Sequence, residues 1–368
     1  MKTKAAVLWE VGKPWSVEEI DVADPGPGEV LVKMFYAGLC HSDDHNVTGD
    51  FPGEAPLVGG HEGAGEVVAA GPGVDRVAVG DKVMLLATPA CGKCRFCSSG
   101  RSYLCDENAH VLSGLRPDGS APFYSGDRPI GAYAQLGTFA EYTVVRQTQV
   151  LAYESDVSDA SAAILSCGVV TGYGATVRAA QVRPGQTVVV VGTGGVGMSA
   201  VQGARISGAA RVVAVDPQAF KREQALKLGA THVAESMDQA LDLVRELTRG
   251  VMADAVVMTV GVLNGDMLGP AEQLTAKGGK LVLAAVARYD DDRPLLPLSG
   301  FLLSAKSLIG VVFGLTNSAA DINAMLDLYR AGILRLDEMV TRKYSLDDIA
   351  TGYADMHAGK NLRGVIEF

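Results

Sequence analysis

Residues 188–197 read VVVVGTGGVG, an apolar run that leads into glycines spaced as G-x-G-x-x-G. The valines predict a buried strand, and the segment that follows them predicts a helix. Glycines at this spacing permit a tight turn and let a pyrophosphate approach the backbone at the N-terminus of that helix. The stretch therefore predicts the first strand, turn and helix of a dinucleotide-binding α/β domain. The candidate cofactor-binding residues of the turn are Gly192, Gly194, Gly195, Val196 and Gly197.

The next predicted strand, RVVAVD, ends in Asp216, about 20 residues beyond the last glycine. A carboxylate at this position accepts hydrogen bonds from an adenosine ribose diol and repels a 2′-phosphate, which favours NAD over NADP. Lys221 lies where it can reach the same ribose from the following helix. The alternatives are a solvated aspartate at a strand end and an ordinary surface lysine.

From residue 169 onward, apolar strands alternate with helical segments, and this alternation predicts a parallel sheet with helices on both faces. The predicted strands are 187–192, 211–216, 254–259, 280–286 and 307–314. The last of these is an edge at which two copies of the chain can pair, so a homodimer or higher homo-oligomer is expected.

The first 165 residues instead favour short β runs separated by Gly, Pro and Asp. Two predicted helices, around 318–331 and 346–358, and a strand within NLRGVIEF close the chain and are expected to return to this β-rich domain. The predicted domains are therefore 1–168 together with 313–368, and 169–312.

Composition narrows the class of protein. The 368 residues exceed one ordinary core, and 48% hydrophobic residues with 44 glycines indicate a compact, turn-rich globular chain. A net charge of −10 disfavours nucleic acid and acidic membranes as partners. The N-terminal apolar run is too short for a signal peptide. Two long uncharged stretches, near 160–177 and 184–204, are interrupted by Gly, Ser and Thr and do not predict membrane spans, so a cytoplasmic protein is expected.

A second signal lies in the lobe 91–105, where Cys91, Cys94, Cys97 and Cys105 follow the spacing C-x2-C-x2-C-x7-C. Four thiolates so placed complete a tetrahedron around Zn²⁺, as in closed structural sites. Disulfides are the alternative, but six cysteines in 368 residues are sparse and nothing marks the chain as secreted.

The remaining cysteines, Cys40 and Cys167, lie in AGLCHSDDH and SCGVVTGYG, and His61 lies beside Glu62 in GGHEGAG. Each residue alone is more often a buried cysteine or a satisfied core histidine. Together they offer two thiolates and one imidazole with a fourth position open, which is typical of catalytic zinc. Asp43 is a candidate acceptor for the imidazole N–H of His61, which would fix its tautomer.

From end to end, the chain resembles the zinc-dependent alcohol dehydrogenases of the medium-chain dehydrogenase/reductase superfamily. Its long stretches 229–262 and 327–366 are most similar to the actinobacterial nicotinoprotein alcohol dehydrogenases, which use N,N-dimethyl-4-nitrosoaniline as an artificial electron acceptor. The resemblance implies a GroES-like, β-rich catalytic domain and a Rossmann domain with a doubly wound parallel sheet. It also implies two zinc ions per subunit and an NAD that does not exchange.

The resemblance assigns roles by position. The implied ligands of the catalytic zinc are Cys40, His61 and Cys167, with Glu62 as a neighbour that can approach the metal. Ser42 and His45 would form a proton relay, His41 and Arg363 would contact the pyrophosphate, and Thr171 and Phe313 would contact the nicotinamide. Phe51, Ala87 and Tyr133 would line the substrate pocket. His41 stands where many relatives have Arg, and a neutral imidazole binds phosphate less strongly than a guanidinium.

The expected function is oxidation of an alcohol to an aldehyde or ketone by hydride transfer to NAD. The alternatives are an alcohol dehydrogenase with freely exchanging NAD, a glutathione-dependent formaldehyde dehydrogenase, and a zinc-stabilised NAD sensor without turnover. A sugar or polyol dehydrogenase is disfavoured because those relatives commonly use other ligands. A sensor has no use for a proton relay, and therefore the presence of Ser42 and His45 favours an enzyme.

Overall fold

The computed structural model describes residues 1–50, 53–108, 111, 113–291 and 296–368. The chain divides into two compact units. The first unit contains Met1–Cys167, Asn317–Ala331 and Leu336–Phe368, and the second contains Gly168–Thr316 and Gly332–Arg335.

The observed units differ from the predicted domains at residues 168, 313–316 and 332–335, which belong to the second unit rather than the first. The turn Phe313–Leu315 explains part of this difference, because it lies directly against the helix Val170–Gly174. A side chain on Gly314 would place its Cβ 2.4 Å from the carbonyl oxygen of Val170. Only glycine permits this close packing, which holds the turn to the second unit.

The first unit contains a closed barrel and a seven-stranded sheet. The barrel strands are Lys2–Leu8, Ser16–Val22, Phe123–Ser125, Arg128–Ala132 and Leu57–Val58. The sheet contains, in spatial order, Val150–Ala152, Lys82–Leu85, Gly63–Ala70, Glu29–Gly38, Arg363–Glu367 and Val340–Tyr344, with Tyr142–Arg146 also paired to Glu29–Gly38. Apolar side chains such as Phe123 and Ile130 fill the interior of this unit.

The C-terminal strand Arg363–Glu367 runs antiparallel to Glu29–Gly38, with Val365 opposite Gly38. The return of the chain end to the β-rich domain is thereby confirmed. The α-helices of the first unit are His41–Thr48, Asp159–Ile164, Ser318–Arg330 and Ile349–His357, and short 3-10 helices at Cys97–Ser99 and Ser102–Leu104 lie in the four-cysteine lobe.

The second unit has one six-stranded sheet, and its strands are all parallel, as predicted. Its strands, in spatial order, are His232–Ala234, Arg211–Val215, Thr187–Val191, Ala253–Met258, Thr275–Leu283 and Ser307–Gly310. Its α-helices are Val170–Gly174, Gly195–Ile206, Ala219–Lys227, Met237–Leu247, Leu268–Leu274 and Leu298–Leu303.

Three details of this sheet correct the prediction. The strand predicted at 280–286 begins and ends earlier, at Thr275–Leu283. The edge strand predicted at 307–314 ends at Gly310, and the chain then turns back at Phe313–Leu315. The short strand His232–Ala234 was not predicted, because three residues carry no readable periodicity.

One helical run, Asp159–Ala180, is long and apolar enough by length and composition to cross a membrane. Of its most apolar window, 83% is buried inside the protein, as in a core helix. This run carries Cys167.

The start of that helical run is fixed by a hydrogen-bond network. Ser158 caps the helix, its Oγ accepting from the backbone N–H of Ser161 at 3.2 Å. The carboxylate of Asp337 accepts from Ser158 Oγ at 2.8 Å, from Ser161 Oγ at 2.6 Å and from the Tyr329 hydroxyl at 2.8 Å. Partial burial raises the pKa of Asp337, but these hydrogen bonds outweigh it and hold the pKa below its usual value. Asp337 therefore anchors the helix that leads to Cys167.

Replacing Asp337 by Asn should lower the free energy of unfolding by about 1 kcal/mol at neutral pH, because the amide donates where the carboxylate accepts. Because the folded pKa lies below the unfolded one, the carboxylate stabilises the protein above the unfolded value of about 3.9. This contribution is lost as the pH falls through the folded value. Urea unfolding of both proteins across an acid pH series measures the difference. The exposed neighbour variant Glu338→Gln should unfold like the parent protein, and a deficit in Asp337→Asn that persists unchanged in acid would contradict the assignment.

Candidate functional site

A cluster of metal-ligating side chains lies inside the first unit. One donor atom from each of Cys40, His61, Glu62 and Cys167 lies within 4.8 Å of the others, and all four residues are buried. Cys40 directly precedes the helix His41–Thr48, whereas His61 and Glu62 directly precede a sheet strand. The structure thus brings together the three predicted catalytic-zinc ligands and their acidic neighbour.

The two sulfurs of this cluster share a hydrogen bond. That bond, reinforced by the charge of His61, holds the pKa of Cys40 well below its ordinary range. The same bond, together with burial, raises the pKa of Cys167. A cysteine that ionises readily in a dry interior supplies the thiolate form that a metal ion requires.

Asp43 orients the imidazole of His61, as expected for a carboxylate that accepts the N–H of a metal ligand. Nδ1 of His61 lies 3.1 Å from Oδ1 of Asp43, and the same oxygen accepts from the backbone N–H of Gly60 at 2.8 Å. Asp43 is completely buried, and burial raises its pKa, which the charge of His61 opposes. With Nδ1–H donated to this carboxylate, Nε2 remains as the ring nitrogen that can bind a metal.

Glu62 forms a buried ion pair with Arg363, which is 4% exposed. Burial raises the pKa of Glu62 to about 7, although the guanidinium of Arg363 opposes the shift. A side chain on Gly38 would place its Cβ 2.1 Å from Glu62 Oε2, so the glycine leaves room for the pair. The resemblance assigned Arg363 to a pyrophosphate and Glu62 to the metal, but the structure pairs these two side chains with each other.

The predicted relay residues lie on one face of the helix His41–Thr48. Sγ of Cys40 lies 3.6 Å from Oγ of Ser42, so the hydroxyl borders the metal-ligating cluster. His45 follows three residues later and is only 2% exposed. Its Nδ1 lies 3.2 Å from Oδ2 of Asp50, and Thr48 Oγ1 donates to that same oxygen at 2.6 Å.

Asp50 was not predicted from the sequence. The available signal was its position directly after Gly49, which ends the helix in the left-handed conformation. A polar residue just beyond a glycine cap can fold back onto the last helical turn.

His41, the third histidine of this region, has its ring centroid 6.0 Å from that of His45 and 5.7 Å from that of His357. Burial lowers the pKa of His41, which the charge of Cys40 opposes.

The second cysteine cluster matches a tetrathiolate zinc site. Sγ of Cys91 lies 3.9 Å from Sγ of Cys97, and a tetrahedron with Zn–S bonds of about 2.3 Å has edges of roughly 3.8 Å. Backbone N–H groups of Cys94 and Cys97 donate to the sulfurs of Cys91 and Cys94 at 3.3 and 3.4 Å. Hydrogen bonds from the backbone of Cys97 and Asp106 lower the pKa of Cys94 to about 6. All six cysteines of the chain are free thiols, which excludes the disulfide alternative in this structure.

In the second unit, the glycine-rich turn connects the strand Thr187–Val191 to the helix Gly195–Ile206. Gly192 has φ +87°, and a Cβ on Gly197 would lie 1.9 Å from the carbonyl oxygen of Gly192. These two glycines are required by the fold itself. A Cβ on Gly194 would instead meet no described atom within 4 Å beyond its chain neighbours. The space beside the uncapped helix N-terminus, which begins at Gly195 and Val196, suits an anionic group such as a pyrophosphate.

Asp216 lies beside this turn and is 4% exposed, so it is not a solvated strand end. Its Oδ2 accepts from the backbone N–H of Thr193 at 2.8 Å, and its Oδ1 accepts from that of Gln218 at 2.9 Å. Each oxygen keeps a second lone pair that a ribose hydroxyl can use. Lys221 is partly buried on the next helix. Arg222, which was not predicted, donates to the carbonyl oxygens of Asp216 and Pro217 at 2.8 Å each and supports the strand end.

The other predicted contacts are distributed between the units. Thr171 lies in the helix against which the turn containing Phe313 packs, so the two nicotinamide candidates belong to adjacent elements of the second unit. In the first unit, Ala87 is 1% exposed, and the ring of Tyr133 meets His61 edge-on at 5.2 Å. Phe51 lies outside the described residues.

Comparison with known proteins agrees with this arrangement. Residues 26–155 match the family described as Alcohol dehydrogenase GroES-like domain, and residues 195–331 match Zinc-binding dehydrogenase. Alcohol dehydrogenase B of Mycobacterium tuberculosis is 47% identical over 370 residues, covering 100% of this chain and 99% of that protein. The NDMA-dependent alcohol dehydrogenase of Amycolatopsis methanolica is 46% identical over 368 residues, with the same coverage of both chains.

Structural comparison leads to the same class. The benzyl alcohol dehydrogenase of Acinetobacter calcoaceticus superposes with a TM-score of 0.92 at 29% identity, covering 100% of this chain and 99% of that one. A more distant relative, the S-(hydroxymethyl)glutathione dehydrogenase of Synechocystis, is 37% identical over 373 residues and covers 100% of both chains.

A β-rich unit with two clusters of metal-ligating residues, combined with a parallel sheet and a glycine-rich turn, defines the zinc-binding dehydrogenases of the medium-chain superfamily. Within that class, the chain belongs to the zinc-dependent alcohol dehydrogenase family. It is therefore an oxidoreductase of a family that uses zinc and NAD(H), and the predicted GroES-like and Rossmann architecture is confirmed.

Two alanine substitutions in the glycine-rich turn should separate folding from cofactor binding. Gly197→Ala forces its Cβ onto the Gly192 carbonyl and should destabilise the protein by about 1–3 kcal/mol. Gly194→Ala adds a methyl group to open space at a φ of −73°, so stability should change by less than about 0.5 kcal/mol. Its NAD affinity should nevertheless fall at least about tenfold, because the methyl group occupies the space expected for the pyrophosphate. Thermal unfolding and NAD titration measure the two effects, and a Gly194→Ala protein that binds NAD normally would show that this space is not used.

Proposed function

We propose that this protein oxidises a small-molecule alcohol to an aldehyde or ketone at the cluster of Cys40, His61 and Cys167, using an NAD that stays bound. The observation that carries the proposal is the buried His61–Asp43 contact beside two buried cysteine sulfurs, which lie within 4.8 Å of each other and of a ring nitrogen of His61. A structural core has little use for this combination, whereas a metal ion needs both thiolates and an oriented imidazole.

The donor set fits zinc, since two thiolates and one imidazole are ligands that zinc prefers. Cys40, Cys167 and His61 would hold a catalytic ion, and the four cysteines of the lobe 91–105 would hold a structural one. When bound, zinc supplies a Lewis acid for the substrate oxygen, and NAD accepts the hydride. Glu62 lies at the same cluster and can approach the ion when its ion pair with Arg363 opens.

The protein's own residues would move the hydroxyl proton. Ser42 borders Cys40 and is placed to accept that proton from the substrate. His45, on the same helix face, is buried and therefore needs a further acceptor before solvent. The partly exposed carboxylate of Asp50, 3.2 Å from His45 Nδ1, supplies that acceptor and leaves Nε2 for the incoming proton.

Cofactor binding would use the glycine-rich turn for the pyrophosphate and Asp216 for the adenosine ribose, with Lys221 nearby. Thr171 and Phe313 would face the nicotinamide. The proposal that NAD remains bound and is reoxidised by an external electron acceptor rests on the likeness to the NDMA-dependent enzyme, which is 46% identical over the full chain.

Three further parts of the proposal have narrower support. The substrate pocket would include Tyr133, which touches His61, together with Ala87 and Phe51.

We place the enzyme in the cytoplasm, consistent with its acidic composition. A homodimer is supported by the edge strand Ser307–Gly310 and by the nearby helix Leu298–Leu303, in which Leu302 and Leu303 are 77% and 85% exposed.

Metal analysis tests the two zinc sites. The fully loaded protein should contain about two zinc ions per chain. Cys97→Ala should lose one of these ions and much of its thermal stability, because the four-cysteine zinc site holds the lobe 91–105 together. His61→Ala should lose catalytic turnover while its circular dichroism remains close to that of the parent protein. A single zinc ion per chain in the loaded, unmodified protein would refute the two-site proposal.

The state of the cofactor is tested by denaturing the purified protein and assaying the supernatant for NAD(H). We expect near-stoichiometric release, and turnover that depends on an artificial acceptor such as N,N-dimethyl-4-nitrosoaniline rather than on added NAD. Protein that is empty and turns over many equivalents of free NAD would be a conventional alcohol dehydrogenase. Formaldehyde oxidation that requires glutathione would instead favour the activity named for the Synechocystis relative.

A further inference from the structure

A third group of metal-ligating side chains lies in the first unit, beside the cluster that contains Cys40, and shares no residue with either cysteine cluster. One donor atom from each of His41, Asp44 and His357 lies within 4.8 Å of the other two. His41 and Asp44 are three residues apart on the helix His41–Thr48 and therefore share one face. His357 ends the helix Ile349–His357, which brings the third donor from a distant part of the sequence.

The group is partly organised already. Nε2 of His357 lies 2.8 Å from Oδ2 of Asp44, and the ring centroids of His41 and His357 lie 5.7 Å apart. A tetrahedral zinc ion with nitrogen and oxygen ligands at about 2.05 Å needs donor separations of roughly 3.4 Å. The side chain of His357 is 50% exposed, so a small rotation can bring its separations from Asp44 and His41 to this value without disturbing the core.

The chemistry of the group selects a cation over an anion, which departs from the pyrophosphate contact that the resemblance implied for His41. The carboxylate of Asp44 lies beside His357 and would repel a phosphate group at that point. Two imidazoles and one carboxylate are instead a common donor set for zinc and neighbouring divalent transition metals.

We propose that His41, Asp44 and His357 form a third site, which binds a divalent transition-metal ion such as Zn²⁺. The site has no thiolate and lies partly in solvent, so it binds more weakly than the two cysteine-containing sites and keeps at least one position for water. The proposal does not depend on the proposed catalytic cycle, because the two helices bring these residues together whatever the reaction is.

A calorimetric zinc titration tests the proposal on the full-length protein after its cysteine-containing sites have been filled and loosely bound metal removed. The parent protein should take up one further equivalent of Zn²⁺. His357→Ala and Asp44→Asn should each weaken this binding at least about tenfold. His232→Ala, which removes a histidine hydrogen-bonded to Thr231 in the second unit, should bind like the parent protein. Absence of the further equivalent, or its persistence in the first two variants, would overturn the proposal.

Cobalt identifies the ligands independently of activity. The weakly bound equivalent of Co²⁺ should show only the low-intensity bands of nitrogen and oxygen coordination, without the strong near-ultraviolet band of a cobalt–thiolate bond. A thiolate band that grows with this equivalent would mean that the metal enters a cysteine cluster and would refute the third site. Failure of the proposed alcohol oxidation would leave both readouts intact, since neither measures turnover.

Discussion

The first unit buries several ionisable side chains next to one another. Cys40, His61, Glu62 and Cys167 lie together in a region where none is more than 7% exposed, and Asp43 behind them is completely buried. Isolated ionised groups in such an environment cost several kcal/mol each, and the cost is offset only by partners. Asp43 is the partner of His61, Arg363 is the partner of Glu62, and the two sulfurs lie beside each other. Apolar residues in these positions would avoid the cost of burying charge, but they would remove the metal-ligating side chains.

The second unit depends on a constraint of space rather than of charge. Gly197 allows the helix to approach the Gly192 carbonyl, and Asp216 then receives the backbone N–H of Thr193 at 2.8 Å. Asp216 stabilises the turn through one lone pair of each carboxylate oxygen, and the proposed ribose contact would use the others. The backbone hydrogen bonds explain why this acidic residue is almost fully buried.

Much of the architecture could be predicted because it follows from local patterns. Valine runs predicted the strands Thr187–Val191 and Arg211–Val215 within one residue, and cysteine spacing predicted that the lobe 91–105 converges on one point. Contacts between distant parts of the chain were harder. The pairing of Glu62 with Arg363 joins residues about 300 positions apart, and the resemblance had assigned them to different partners. No periodicity carries such information, because it arises only when the C-terminal strand inserts beside Glu29–Gly38.

The eight-residue helix His41–Thr48 shows how closely different functions can be packed. Successive residues of an α-helix are about 100° apart around its axis, so neighbours in the sequence face different surroundings. Asp43 points into the interior and orients His61, whereas Asp44 points outward and pairs with His357. Ser42 and His45 share the face that borders Cys40 and Asp50. Adjacent residues of the sequence HSDDH therefore make different contacts. Two neighbouring aspartates with the same chemistry have different histidine partners because the helix turns between them.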